Sequence, residues 1–124
     1  MRWYGSVENR IEEMAKSPIP EVGMGVTESL WSDRHAWYIK DIVKHNSKGE
    51  AVELLLVKAK TKCKDFYAGD WEVYPYEEAD FERTCTIKRT RATKTGHRFW
   101  TCNGKIDGTK YILGKADEYY DPSF

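Results

Sequence analysis

Short β-type segments separated by turn residues constrain the fold of this sequence more than any other feature. From Val22 onward, roughly six or seven such segments follow one another at regular spacing. The clearest spans residues 81–90, where side chains alternate between two faces. Asn103-Gly104 is a dipeptide typical of tight hairpin turns. Many short strands in one small chain predict a single curled or closed sheet.

The N-terminal residues follow a different period. Within residues 6–16, Val7, Ile11 and Met14 recur at helical spacing, and Ser6 is suited to cap the helix N-terminus. The prolines that follow at positions 18 and 20 end the pattern. The sequence therefore predicts one short amphipathic helix ahead of the strands.

The length of 124 residues is typical of a single domain. We expect a helical N-terminal extension over residues 1–20 and a β domain over residues 21–124. The predicted fold is mainly β, either a small curled antiparallel sheet or an SH3-like barrel with one N-terminal helix. Trp37, Phe81 and Phe99 are the aromatic residues predicted to lie in its core.

Composition argues against several classes of protein. Basic and acidic residues balance at 20 each, so the strongly basic character of many nucleic-acid-binding domains is absent. The three cysteines are odd in number and form no C-x-x-C pair, which disfavours a disulfide framework and a structural metal. No apolar run approaches the ~20 residues of a membrane span, and no signal peptide is evident. These features predict a soluble cytoplasmic protein with no membrane association.

Catalytic motifs are missing from the sequence. The histidines have no partner pattern such as G-x-S-x-G. The glycine-rich phosphate-binding motifs G-x-x-x-x-G-K-[ST] and G-x-G-x-x-G are also absent from the sequence. We therefore expect no catalytic residues and no cofactor, and interpret the chain as a binding protein rather than an enzyme.

Aromatic and basic residues supply the first binding candidates. The chain holds five Trp and eight Tyr, and residues 83–98 carry six basic side chains with no acid among them. Ring faces stack on bases and guanidinium groups bind phosphates, so this pairing predicts a small anionic ligand. The same residue types form the centres of protein interfaces, and the sequence leaves both alternatives open. The candidates here are Arg91, Arg98 and Trp100.

Ser32-Asp33-Arg34-His35 is the densest polar cluster in the sequence. In one interpretation Arg34 and His35 hold an anion while Asp33 orients the arginine. In the other, Asp33 shapes a turn and Arg34 forms an internal ion pair. Tyr119 and Tyr120 near the C-terminus are likewise either structural or contact residues. The complete set of predicted ligand-binding residues is Asp33, Arg34, His35, Arg91, Arg98, Trp100, Tyr119 and Tyr120.

Two end motifs carry a family resemblance. Val-Gly-Met-Gly-Val-Thr-Glu at residues 22–28, with Ser-Asp-Arg-His after it, and Glu-Tyr-Tyr-Asp-Pro-Ser-Phe at residues 118–124 resemble a family of small uncharacterised bacteriophage and prophage proteins. The resemblance covers most of residues 22–124. It implies a phage origin and, by association, a role against bacterial defence.

Together these observations predict a phage-encoded binding protein acting in the cytoplasm of the infected bacterial host. It would antagonise a bacterial immune system by sequestering a signalling nucleotide. The alternatives are an inhibitor that docks on a defence effector such as a CRISPR nuclease, and a nucleic-acid-binding accessory protein, which the neutral charge disfavours. Association into a homo-oligomer is left open.

Overall fold

The computed structural model of the protein describes residues 18–121. The predicted helix at residues 6–16 and the last three residues of the C-terminal motif lie outside this range. Within it, no helix has the length and apolar character needed to cross a membrane.

Eight strands make up about half of the described chain. They are β1 (Gly25–Ser29), β2 (Arg34–His45), β3 (Ala51–Lys58), β4 (Thr61–Asp65), β5 (Asp70–Val73), β6 (Asp80–Arg89), β7 (Trp100–Thr101) and β8 (Lys110–Leu113). One short 3₁₀ turn, Tyr76–Glu78, precedes β6.

Six of these strands close into an antiparallel barrel in the order β1-β2-β3-β6-β7-β8, with β8 pairing back to β1. This confirms the predicted fold class in its closed form. Ladder irregularities between β2 and β3, such as the one between Ile39 and Asp41, help the long second strand to bend around the barrel. Strands β4 and β5 form a separate hairpin inserted between β3 and β6.

The barrel core is built from the inward-facing residues of these strands. Ile39, Leu54, Leu56 and Ile87 are fully buried, and two tryptophans, Trp37 and Trp100, pack with them, as do Val26, Tyr111 and Leu113. The alternation along β3 and β6 thus places one set of side chains inside, as a period of two requires. Burial of this apolar set is the main favourable term in the stability of the fold.

Two of the three predicted aromatic core residues are buried, and one prediction is wrong. Trp37 belongs to the core cluster and Phe99 is buried, whereas Phe81 is 40% exposed. The ladder between β3 and β6 shifts register near the start of β6, so the alternation around Phe81 does not continue into the core. Its ring contacts Tyr76 edge-on and lies near the Lys40 ammonium instead.

Candidate functional site

The two polar motifs at opposite ends of the sequence lie side by side in the barrel. Arg34 begins β2, and its backbone exchanges two hydrogen bonds with that of Tyr119, at 2.8 and 2.9 Å. The Asp33 carboxylate accepts a third, from the Asp121 amide at 3.0 Å. We call residues 32–35 and 117–121 together the motif cluster.

Backbone alternation divides the motif cluster between two faces. On the first face, the Arg34 guanidinium lies 3.3 Å from the Asp117 carboxylate and 5.1 Å from the centre of the Tyr119 ring. On the second face, the His35 ring meets the Tyr120 ring edge-on at 5.0 Å. Neighbouring residues that the sequence grouped into one site therefore serve two different surfaces.

A buried ion pair anchors the second face. The Glu118 Oε1 atom accepts hydrogen bonds from the Ala36 amide at 2.8 Å and from Lys58 Nζ at 3.0 Å. His35 Nδ1 lies 3.2 Å from the other carboxylate oxygen. Lys58 Nζ also donates to the carbonyls of Ala36 and Ala59, at 3.1 and 3.2 Å. Because all three ammonium donors have acceptors, the pair is a structural anchor for the C-terminal segment.

The pKa values of the second face reflect these contacts. Burial alone would raise the pKa of Glu118, but the Ala36 amide and the Lys58 ammonium together outweigh it and hold that pKa below its ordinary value of 4.5. Burial, followed by the nearby Glu118 carboxylate, raises the pKa of Tyr120 to about 12. Glu118 is therefore ionised, and Tyr120 neutral, at physiological pH.

This lowered pKa makes stability depend on pH. Well above 4.5, by more than about one pH unit, the Glu118 carboxylate is ionised in both states and its contribution is complete. As the pH falls below that value, the unfolded chain takes up the proton more readily than the folded chain, so the free energy of unfolding decreases. We expect the stability gap between wild type and Glu118→Gln to narrow between about pH 6 and pH 3 in urea titrations. A gap that stays constant across this range would contradict the assignment.

The hairpin of β4 and β5 packs against the same C-terminal segment. The Trp71 ring lies 4.8 Å from the Tyr120 ring. Gly69, at the hairpin turn, has φ of +69°, and a Cβ there would lie 2.6 Å from the Tyr119 ring. Glycine is needed at this position both for the backbone conformation and for the close approach. Tyr120 also borders a cleft of about 430 Å³ with Lys58 and Arg83.

A larger cleft opens on the first face. Its volume is about 510 Å³, and Leu30, Trp31, Ile112, Leu113 and Tyr119 contribute its apolar and aromatic walls. Its described charged residues balance, with Arg34 and Lys115 against Asp33 and Asp117. The Trp31 side chain at its rim is 94% exposed. We call this the motif cleft.

A second concavity of about 510 Å³ lies where β2 ends, and we call it the basic groove. Apolar side chains, including Ile42 and Trp100, form part of its lining. Among the described residues that border it, Lys48, Arg89 and Arg98 stand against one carboxylate, Glu50, with His45 beside them.

Glu50 neutralises only part of this positive charge. It lies 3.5 Å from Arg89, and its pKa is lowered, first by a hydrogen bond from Asn46 and then by the charges of Arg89 and Arg98. The described lining of the groove therefore keeps a formal excess of two positive charges, without counting His45. Such an excess over an apolar surface favours a small anion.

The predicted ligand-binding residues thus fall into three places. The structure brings together Asp33, Arg34, His35, Tyr119 and Tyr120 in the motif cluster, where hydrogen bonds, an ion pair and ring contacts engage them. Arg98 and Trp100 line the basic groove, although Trp100 is mostly buried in the core. Arg91 is exposed and lines neither the motif cleft nor the basic groove.

Sequence reasoning missed two residues that organise these surfaces. Lys58 follows the apolar residues of β3, and a lysine in a buried strand needs a partner for its charge. The sequence therefore contains a signal for a buried ion pair. The identity of that partner, Glu118, depends on the fold because the two residues are 60 positions apart.

Comparisons with known proteins give no match: no protein-family model, no curated protein and no solved structure matches this chain. The resemblance to small phage proteins therefore stays a prediction.

Proposed function

We propose that this protein is a non-catalytic binding protein that holds a small anionic ligand carrying a planar ring, of the nucleotide class, in the basic groove. The observation that carries the proposal is the excess of positive charge among the described residues of the groove, where Lys48, Arg89 and Arg98 face the single carboxylate of Glu50 over a partly apolar lining. Guanidinium groups bind phosphates through paired hydrogen bonds, and an apolar surface accepts the face of a base.

The volume of the groove supports a small molecule rather than a polymer. About 510 Å³ lies within the range of roughly 300–1,000 Å³ that small-molecule sites occupy. The chain as a whole has no net charge, so the positive potential is local. A polyanion gains affinity from many neutralised phosphates, whereas a compact anion needs only the few cations found here.

The biological part of the proposal rests on the family resemblance of the two end motifs. A phage protein that sequesters a signalling nucleotide in the cytoplasm of its bacterial host would interrupt an immune response without needing catalysis. The proposal accordingly names a nucleotide signal of bacterial defence as the ligand and assigns the protein the role of antagonist.

Calorimetry on two matched arginine variants tests the groove. We expect the protein to bind one member of a panel of cyclic dinucleotides and ADP-ribose-type nucleotides. Arg98→Gln should weaken that binding at least about tenfold, because a charge-assisted hydrogen bond is worth roughly 1.5–3 kcal/mol. Arg91→Gln removes the same charge from the same basic stretch outside the groove and should change the affinity by less than about twofold.

Salt and polymer controls distinguish the alternatives. The affinity of the protein for a single nucleotide should change little between low and moderate salt. The affinity of a nucleic-acid-binding protein for DNA or RNA strands, in contrast, falls steeply as the salt concentration rises. Salt-sensitive binding to every strand tested would contradict the proposal in favour of a nucleic-acid-binding protein. If no nucleotide of the panel binds, the nucleotide proposal is contradicted, and an inhibitor that docks on a defence protein is the better interpretation.

A further inference from the structure

The exposed ring of Trp31 has no role in the proposed nucleotide site. It is 94% exposed, although tryptophan is among the side chains that gain most from burial. The loop that carries it is fixed by a hydrogen bond from the Leu30 amide to the Asp33 carbonyl at 3.0 Å and by the bond between Asp33 and the Asp121 amide. These bonds fix the backbone that carries the ring, so covering the ring costs chiefly the rotamer freedom of one side chain.

The cleft beside this ring has a mixed polar and apolar lining, and its apolar part can contact an aromatic side chain. Leu30, Ile112, Leu113 and Tyr119 supply apolar and aromatic wall, and the volume of about 510 Å³ accommodates a large ring. The Arg34 guanidinium is already held by Asp117 and lies over the Tyr119 ring. A protruding ring and a receptive cleft thus occupy one patch of surface.

We propose that this patch pairs with a second copy of the same chain across a two-fold axis. Each Trp31 then enters the motif cleft of the partner copy. A two-fold interface brings one patch against itself, so it requires a surface that carries both the protruding group and its receptor. The motif cleft and its Trp31 rim meet this requirement, because Trp31 itself lines the cleft.

Charge favours a second copy over a charged partner. The described residues of the cleft balance, with Arg34 and Lys115 against Asp33 and Asp117. Two identical neutral patches meet without net repulsion, whereas a strongly acidic or basic partner gains nothing from such a surface. The basic groove lies at the other end of β2, so pairing leaves the proposed nucleotide site independent of the interface.

Sedimentation and native mass spectrometry of the full chain, from about 1 μM to about 1 mM, test the pairing. We expect a monomer–dimer equilibrium in the wild-type protein. Trp31→Ala should weaken it at least about 30-fold, the size of effect typical of a central interface tryptophan. Trp31→Phe, which keeps a ring, should retain part of the association. Circular dichroism should remain unchanged, since a side chain so exposed contributes little to the fold.

The matched control is Tyr67→Ala, which removes another highly exposed aromatic ring, 83% exposed, that lines neither the motif cleft nor the basic groove. This variant should dimerise as the wild type does. A wild-type protein that stays monomeric throughout would overturn the proposal and leave the patch to a different protein. Equal dimerisation of Trp31→Ala and wild type would overturn it as well. Neither result depends on whether a nucleotide binds the basic groove.

Discussion

Replacing Glu118 with glutamine should lower the free energy of unfolding by about 3–5 kcal/mol, the cost of leaving a buried charge without its partner. The Glu118 side chain is 1% exposed and that of Lys58 9%, so both charges are largely shielded from water. Glutamine keeps the shape of the side chain and can still accept the hydrogen bond of the Ala36 amide. The expected loss therefore reports the unpaired Lys58 ammonium rather than a cavity. Equilibrium urea unfolding followed by fluorescence measures it.

Two further variants isolate this effect. Lys58→Met added to Glu118→Gln removes the buried ammonium too and should recover at least about half of the lost stability, because no unpaired charge remains. Glu50→Gln breaks an ion pair with Arg89 in which the glutamate side chain is half exposed, so it should destabilise the protein far less than Glu118→Gln does. If Glu118→Gln and Glu50→Gln had equal effects, the anchoring role of Glu118 would be excluded.

The fold class follows from the sequence because strand alternation is a local property. In residues 81–90, Cys85 and Ile87 turn toward the core as the period of two predicts. Closure into a barrel is not local, since it depends on bulges such as that at Ile39 and on pairing between β8 and β1. The sequence therefore left a curled sheet and a barrel as equal alternatives.

The hairpin shows a second limit of sequence reasoning. β4, Thr61–Asp65, is mostly exposed and polar, so no alternation distinguishes it from a loop. Its partner β5 carries Trp71, whose contact with Tyr120 fastens the hairpin to the C-terminal segment. A hairpin held to the rest of the fold by long-range contacts of this kind leaves little local signal in the sequence.

The candidate site was predictable in its residues but not in its arrangement. The motifs containing Arg34 and Tyr119 both stand out in the sequence, and they meet in the structure. Their division between two faces requires the register of their backbone pairing, which no spacing in the sequence encodes. The basic stretch at residues 83–98 is also visible in the sequence. Only the fold, however, places Arg98 in the basic groove and Arg91 outside it.

Gly25→Ala should destabilise the protein by about 3 kcal/mol, at the upper end of overpacking effects. A Cβ at this position would lie 2.5 Å from the Ala116 amide nitrogen and 2.9 Å from the Lys115 carbonyl carbon. Both are backbone atoms, which cannot rotate away as the end of a side chain can. The 115–117 segment must instead move off β1, where the Thr27 hydroxyl bonds the Lys115 carbonyl and the Asp117 amide. Urea unfolding measures the loss.

The matched control is Gly108→Ala, where the added Cβ meets chiefly the side-chain oxygen of Asn103, which can rotate away at the cost of its hydrogen bond from the Lys105 amide. This control should lower the free energy of unfolding by less than half as much as Gly25→Ala.

A double variant tests whether Gly25 and Glu118 act on the same segment. Displacement of the 115–117 segment also shifts the neighbouring Glu118, so combining Gly25→Ala with Glu118→Gln should lower the free energy of unfolding by less than the sum of the two single changes. Strict additivity would show that the close approach at Gly25 and the Lys58–Glu118 pair act independently. A shortfall would show that both hold the same C-terminal segment against the barrel.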